Sequence, residues 1–297
     1  MKKSLIALAV AGALAAPMVA QADATLYGSL RIKIENTEGA TNDNLDVRDN
    51  SSRIGVKGSS ELFSGAKAIF QFEQAVSTET GAWAGGRLAN VGITGDFGTA
   101  LFGRIWTPYY SWTGAQTDIL DNSTSASSVY QVGAHRASNV IAYVSPSMSG
   151  FQVAAAVLPN DGGAADDETI DVSHVAAKYE NAGLNVGVSY LGFEAADRDV
   201  ISVGASYTMD AVYVAARYEN DDAPGADRDA WELAGSYTMG NTKLLANYID
   251  DERDADDQWS LEVQQKLGKQ ARVFAAYVDR NVADGGEGFM AGYRVDF

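Results

Sequence analysis

Apolar and polar residues alternate along most of this chain. Over 26–35, Leu26, Leu30, Ile32 and Ile34 share one face, and Tyr27, Ser29, Arg31, Lys33 and Glu35 share the other. Ile201, Val203, Ala205 and Tyr207 oppose Ser202, Gly204 and Ser206, and Trp259, Leu261, Val263 and Leu267 oppose Ser260, Glu262, Gln264 and Lys266. A period of two with one wet face predicts β-strand. Sixteen strands are predicted, at 24–36, 50–58, 65–76, 86–94, 98–105, 136–145, 150–158, 169–180, 184–193, 198–208, 211–219, 228–238, 242–250, 257–267, 270–279 and 288–297. Tight turns at 61–64, 95–97, 181–183, 209–210, 239–241 and 268–269 alternate with longer acidic, Gly-rich segments such as 220–229, 250–256 and 281–287. The string Ser206-Tyr-Thr-Met209 returns as Ser236-Tyr-Thr-Met239, an even offset that keeps the same residues on the same face.

The last strand alternates Phe289, Ala291, Tyr293, Val295 and Phe297 with Met290, Gly292, Arg294 and Asp296. An aromatic edge of this kind needs a cover, either a sheet partner or lipid. At the other end Lys2 and Lys3 precede an apolar run from Leu5 to Ala16, and Ala20-Gln21-Ala22 fits a small-x-small cleavage site. That pattern predicts an export leader at 1–22 and a mature domain at 23–297. Pro17 and the shortness of the run argue against a membrane helix. There is no cysteine, so no disulfide holds the exported chain. Loss of Lys2 and Lys3 takes the net charge from −17 to −19, which makes nucleic acid an unsuitable partner.

A soluble β-sandwich also alternates, but its apolar face is a packed core of large side chains. Here the apolar positions include many Ala and Gly, and the polar face carries Arg, Lys and Glu inside strands. Charges facing inward require a water-filled lumen. The expected fold is all-β, a sixteen-stranded antiparallel transmembrane barrel with short turns at one end and long loops at the other.

Leu26-Tyr-Gly-Ser-Leu30, Ser52-Arg-Ile-Gly-Val-Lys-Gly58, Arg87-Leu-Ala-Asn-Val-Gly92, Phe102-Gly-Arg104 and the terminal Phe strand follow one another in order. Together they resemble the general diffusion porins of Gram-negative outer membranes. The resemblance implies a homotrimer that passes small hydrophilic solutes passively and has the barrel-assembly machinery as a partner. It implies that Phe297 is the assembly signal. It also implies that the third long loop, 105–135, folds into the lumen, and Trp106, Tyr109, Tyr110, Trp112 and Tyr130 give that loop weight to pack on a wall.

By the same resemblance the pore constriction sets Asp118 and Asp121 on the loop against Arg53, Arg87 and Arg136 on the wall. Arg31 takes the place of a lysine that the family has two residues earlier, where this chain has Ser29. Asn122 replaces the family's second loop acid, and the Pro-Glu-Phe-Gly-Gly continuation is absent. Lys33, Lys57, Arg217, Arg272 and Arg294 face inward by parity and read as secondary lumen wall, and Arg104 as a wall charge or a latch to a neighbouring subunit. Asn90 reads as an outward misfit that a trimer interface would cover.

The acids Asp250, Asp251, Glu252, Asp254, Asp256 and Asp257, with Asp221, Asp222, Asp227 and Asp229, form an acidic rim. Such a rim enriches cations, so mild cation selectivity is expected. It could hold Ca²⁺ or Mg²⁺ weakly, bridging to lipopolysaccharide, although no spacing matches an EF-hand. No resident cofactor or metal site is expected. His135 reads as a loop residue and His174 as a wall residue, with no nucleophile elbow or metal pair, so an enzyme is not expected. A substrate-specific channel and a closed, adhesin-type barrel remain as alternatives.

Overall fold

The computed structural model describes residues 23–37, 44–63, 65–122, 135–159, 169–252, 257–279 and 288–297. The predicted leader and residues Asp254 and Asp256 of the acidic rim lie outside them. Along the chain run β1 (Asp23–Thr37), β2 (Asn44–Asp49), β3 (Arg53–Phe63), β4 (Ala66–Val76), β5 (Trp83–Gly95) and β6 (Gly98–Trp106). One short helix, α1 (Pro108–Trp112), precedes β7 (Arg136–Val144), β8 (Phe151–Pro159), β9 (Ile170–Asn181), β10 (Leu184–Phe193), β11 (Arg198–Met209) and β12 (Val212–Ala223). Then follow β13 (Ala226–Met239), β14 (Thr242–Asp251), β15 (Gln258–Lys266), β16 (Ala271–Asp279) and β17 (Gly288–Asp296).

From β3 onward each strand pairs antiparallel with the next, and β17 returns to β1, so the sheet closes. Closure matters because lipid offers no partner to an open edge. β2 and β3 both pair with β1, one beyond the other, so seventeen strands make sixteen staves. The predicted strand at 50–58 therefore starts in the break and corresponds to β3, and β2 before it was not predicted. Ser51 there has φ 65°. The Ser52 hydroxyl accepts from the Arg31 amide at 2.8 Å in place of a ladder carbonyl, and donates at 2.9 Å to the Arg31 carbonyl, which also accepts from the Asn50 amide at 3.2 Å.

The closing seam runs from Ser29 opposite Asp296 to Thr37 opposite Gly288. Phe297 extends it, exchanging backbone hydrogen bonds with Gly28 at 2.9 and 3.1 Å. Its ring lies over Gly28, where an added Cβ would sit 2.5 Å from the ring. Phe289, Tyr293 and Phe297 are exposed on the outer face, as are Leu26, Leu30 and Ile34 beside them. The expected division of the last strand therefore holds, with Arg294 bonded inside to Asp296 at 2.8 Å.

The repeat also holds its place. Tyr207 and Tyr237 are exposed one turn-length before the tight ends of β11 and β13, and Ser206 and Ser236 are buried inside. Exposed Phe151, Tyr179 and Tyr207 at the short-turn end, and Trp231, Trp259 and Phe289 at the other, bracket the apolar exterior.

Three readings need correction. The acidic stretch 220–229 is not a loop but the tip of the β12–β13 hairpin, with Asp221 opposite Arg228 and only Pro224 and Gly225 between the strands. Asp221 is held there by Arg198. The β10–β11 link is also short, so long connections do not strictly alternate with tight ones. The third correction is Asn90, which lies opposite Gln71 on the inner face and donates to the Arg104 carbonyl at 3.1 Å. It is not lipid-facing and gives no support to a trimer.

Candidate functional site: the lumen and its inserted loop

The connection from β6 to β7 turns inward. Thr107 caps α1, its hydroxyl accepting from the Tyr110 amide at 3.2 Å, and Pro108 supplies the fixed φ of a first helical residue. After one turn of α1 the chain passes through a 3-10 turn at Gly114–Gln116. It lies directly on the inner wall at Gly187 and Gly204, which are register partners in β10 and β11. A Cβ on Gly187 would collide with the Trp112 carbonyl, and one on Gly204 would stand 2.8 Å from the Thr113 carbonyl. Two bare backbones make the seat.

Arg217 fixes the loop beside that seat. Its guanidinium donates to Glu232 at 2.8 Å, to the Tyr109 hydroxyl at 2.9 Å and to Ser202 at 3.1 Å, and pairs with Glu219. Thr117 donates to the other oxygen of Glu232, and the Tyr213 hydroxyl donates to the Gln116 carbonyl at 2.6 Å. Arg217 is thus a buried anchor, not a passive wall charge. Glu232 was unremarked in the sequence, although its inward parity was readable.

Further along, the loop follows the wall past β14 to β15, β16 and β17. Glu262 accepts from the amides of Asp121 at 2.9 Å and Asn122 at 2.8 Å, and Asn122 donates to Ser260 at 3.1 Å. Arg272 forks onto Asp121, with Nη2 to Oδ1 at 2.7 Å, and Arg294 adds a bond at 3.0 Å. Asn50, from the break between β2 and β3, donates to the Asp121 carbonyl at 2.6 Å. Burial works to raise the Asp121 pKa, but the hydrogen bond and charge of Arg272, with Arg294 and Arg31 behind, hold it below its ordinary 3.8. Asp121 is therefore a clamp as well as a lumen charge.

Between the loop and the wall lies a cavity of about 390 Å³. Its lining includes Arg31, Arg53, Arg87, Arg136, Asp118 and Asp121, the whole set expected at the constriction, together with Trp106 and Tyr110. Arg272 and Arg294, expected to be secondary, line the same space. Lys33 and Lys57 do not: Lys33 pairs with Glu35 at 2.6 Å, and Lys57 lies 5.3 Å from the Tyr27 ring centre. The Tyr110 hydroxyl donates to Asp118 at 2.6 Å. Arg136 and Arg87 lie 4.8 and 5.8 Å from the Trp106 ring.

Arg87 arrives by a route that alternation cannot show. Glu73 opposes Leu88 but Gln74 opposes Gly86, so Arg87 is the extra residue of a β-bulge. Leu88 takes the buried inner position, and the bulge turns Arg87 inward as well, onto Glu73 at 2.5 Å. The His135 ring lies tilted against Tyr110, with centroids 4.2 Å apart. Burial, with Arg217 and Arg136 nearby, lowers its pKa to about 3, so it is neutral at ordinary pH. His174 sits in the wall under the loop, 2.8 Å from Ser189.

A family model described as Gram-negative porin matches residues 7–284. The chain belongs to the Gram-negative porins. The major outer membrane protein P.IB of Neisseria gonorrhoeae is 34% identical over 201 residues, 62% of this porin and 55% of that protein. The porin thus spans about half the length of that relative. A monosaccharide porin from a Halomonas species is 30% identical over 265 residues, 75% of this porin and 71% of its own length. Among solved structures, the anion-selective porin of Comamonas acidovorans superposes with a TM-score of 0.73 at 19% identity, over 93% of this porin and 100% of that chain. Family and fold place the porin in the outer membrane and point away from an enzyme.

Two details remain. Arg104 opposes Ala89, next to the outward Val91, so it sits on the exterior face and not on the lumen wall. It donates to the Gly86 and Arg87 carbonyls at 3.2 and 3.1 Å and to Ser138 at 2.7 Å. At the rim, no group of three His, Asp or Glu side chains among the described residues is disposed to hold a metal ion.

Proposed function

We propose that this porin is a water-filled channel for passive diffusion of ions and small hydrophilic solutes, narrowed by its inserted loop. The observation that carries the reading is the polar cavity between Asp118 and Asp121 on the loop and Arg31, Arg53, Arg87 and Arg136 on the wall. Opposed charges across a narrow aqueous gap order the water there and disfavour apolar solutes. The acidic rim supports cation enrichment at the mouth, but the waist, with six arginines, supplies no cation preference of its own.

A homotrimer is part of the proposal. Its support is Arg104, an outward guanidinium that hydrocarbon would not tolerate and a neighbouring subunit would cover. Contact with lipopolysaccharide through divalent ions at the rim, and recognition of Phe297 by the barrel-assembly machinery, are proposed on the family resemblance.

Swelling of liposomes containing the whole protein, with uncharged sugars of graded size, tests the channel. A sharp size cutoff is expected. One preferred sugar would make it a substrate-specific channel, and no swelling would make it a closed barrel.

A further inference from the structure

On the short-turn side of the loop's seat lies a second cavity, of about 530 Å³. Asn185 and Ser206, register partners in β10 and β11, stand two residues from Gly187 and Gly204 toward the tight turns and line it. Thr208 and Tyr213, partners across the β11–β12 turn, extend that wall. The loop covers it with Ser111 and Gln116.

This cavity differs in kind from the one at the arginines. No arginine or lysine lines it. Its one carboxylate, Glu180, is paired with Lys178 at 2.7 Å, and Lys178 lies 5.6 Å from the Trp112 ring centre. An ion therefore finds no net charge there to answer its own. What the cavity offers is neutral acceptors. Gln116 is only 4% exposed, and its Nε2 donates to the Trp112 carbonyl at 2.6 Å. That bond fixes the amide, and among the described residues no donor reaches Oε1 at its other corner. Asn185 Oδ1 also lacks a donor, as does Ser236 Oγ, opposite Tyr213 on the next stave. Buried acceptors left unpaired are costly, and few native groups are left so. Two on one cavity, among serine and threonine hydroxyls, call for a partner rich in O–H donors.

We infer that this shelf is a binding site for an uncharged polyhydroxyl solute, a sugar or polyol, on the short-turn side of the inserted loop. Hydroxyl groups of such a solute donate to Gln116 Oε1 and to Asn185 Oδ1, whose amide turns to meet them, and accept from Ser111 and Thr208. Neutral hydrogen bonds of this kind are individually weak, and no charged fork fixes their directions. The shelf therefore holds the class briefly and selects no one sugar, which leaves the size cutoff of the channel intact. The inference goes beyond the channel reading and rests on it, since solutes reach the shelf through the lumen.

The test is saturation-transfer NMR on the whole protein in detergent micelles, with empty micelles as the blank. Transfer to glucose should saturate with concentration, and sorbitol should displace it. Triethylene glycol dimethyl ether, which has acceptors but no O–H donor, should not. In N185A/T208V the half-saturating glucose concentration should rise about fivefold or more, because two hydrogen-bonding groups are lost. T208V alone, which exchanges an exposed hydroxyl for a methyl group, should raise it about twofold and serves if the double variant does not fold. K67Q, which removes a charge paired with Glu61 at a turn, should match the wild type. The shelf would be overturned by transfer that never saturates, by equal displacement with the ether, or by half-saturation unchanged in both variants. Failure of glucose to swell wild-type liposomes would instead overturn the channel reading.

Discussion

Asp121 concentrates several roles in one residue. Its side chain binds Arg272 and Arg294, its amide binds Glu262, and its carbonyl binds Asn50. Its carboxyl pKa lies below 3.8, so the clamp it provides is complete above that value and is lost as pH falls through the depressed pKa. His135 is neutral until about pH 3 and adds nothing in the intervening range. Single-channel recordings should therefore grow noisier as pH falls below the ordinary carboxyl value. D121N should show the same noise at neutral pH, and a steady D121N trace would deny Asp121 the clamp. Arg217 is buried more completely. Removing one member of such an ionic network leaves the others uncompensated, at a cost of about 3–5 kcal/mol. Parity made Arg217, Arg272 and Arg294 visible as inward residues. Their partners Tyr109 and Asp121 lie 108 and 151 or more positions away, a distance no local pattern spans.

Among the elements, the staves were legible wherever alternation is strict, because a period of two is all a half-wet strand requires. The failures share a cause. The β-bulge at Arg87 inserts one residue, so parity counted through it puts Leu88 and Asn90 on the wrong face. The break at Asn50–Ser52 replaces a backbone partner with a hydroxyl, which leaves no trace in hydropathy. The β12–β13 tip is strand despite its acids, because water, not lipid, surrounds strands that project beyond the membrane. The closing seam was readable and has a measurable consequence. Phe297 contributes two backbone bonds and a ring over Gly28, all at the edge where the ring of strands shuts. Deleting Phe297, or displacing its ring with G28V, should lower the yield of folded, heat-resistant barrel in outer membranes. Channels that do form should keep wild-type conductance, and reduced conductance with normal yield would contradict this assignment.

At the scale of the whole molecule, two charge distributions of opposite sign lie in series. The rim is acidic and open to solvent, and the waist is basic and confined. Salt screens them unequally, since the Debye length falls from about 10 Å at 0.1 M to about 3 Å at 1 M and confined charges are screened less. Reversal potentials should move toward anions as the mean salt concentration rises, and R53A/R87A should move them toward cations at every concentration. A reversal potential indifferent to both would detach selectivity from these arginines. The inserted loop meets the wall at Gly187 and Gly204, with no side chain between the two backbones. Those two hydrogen atoms act as a set-screw. Each methylene added there would move the loop toward the arginines, so the bore of the channel is calibrated from behind, by residues that no permeating solute ever touches.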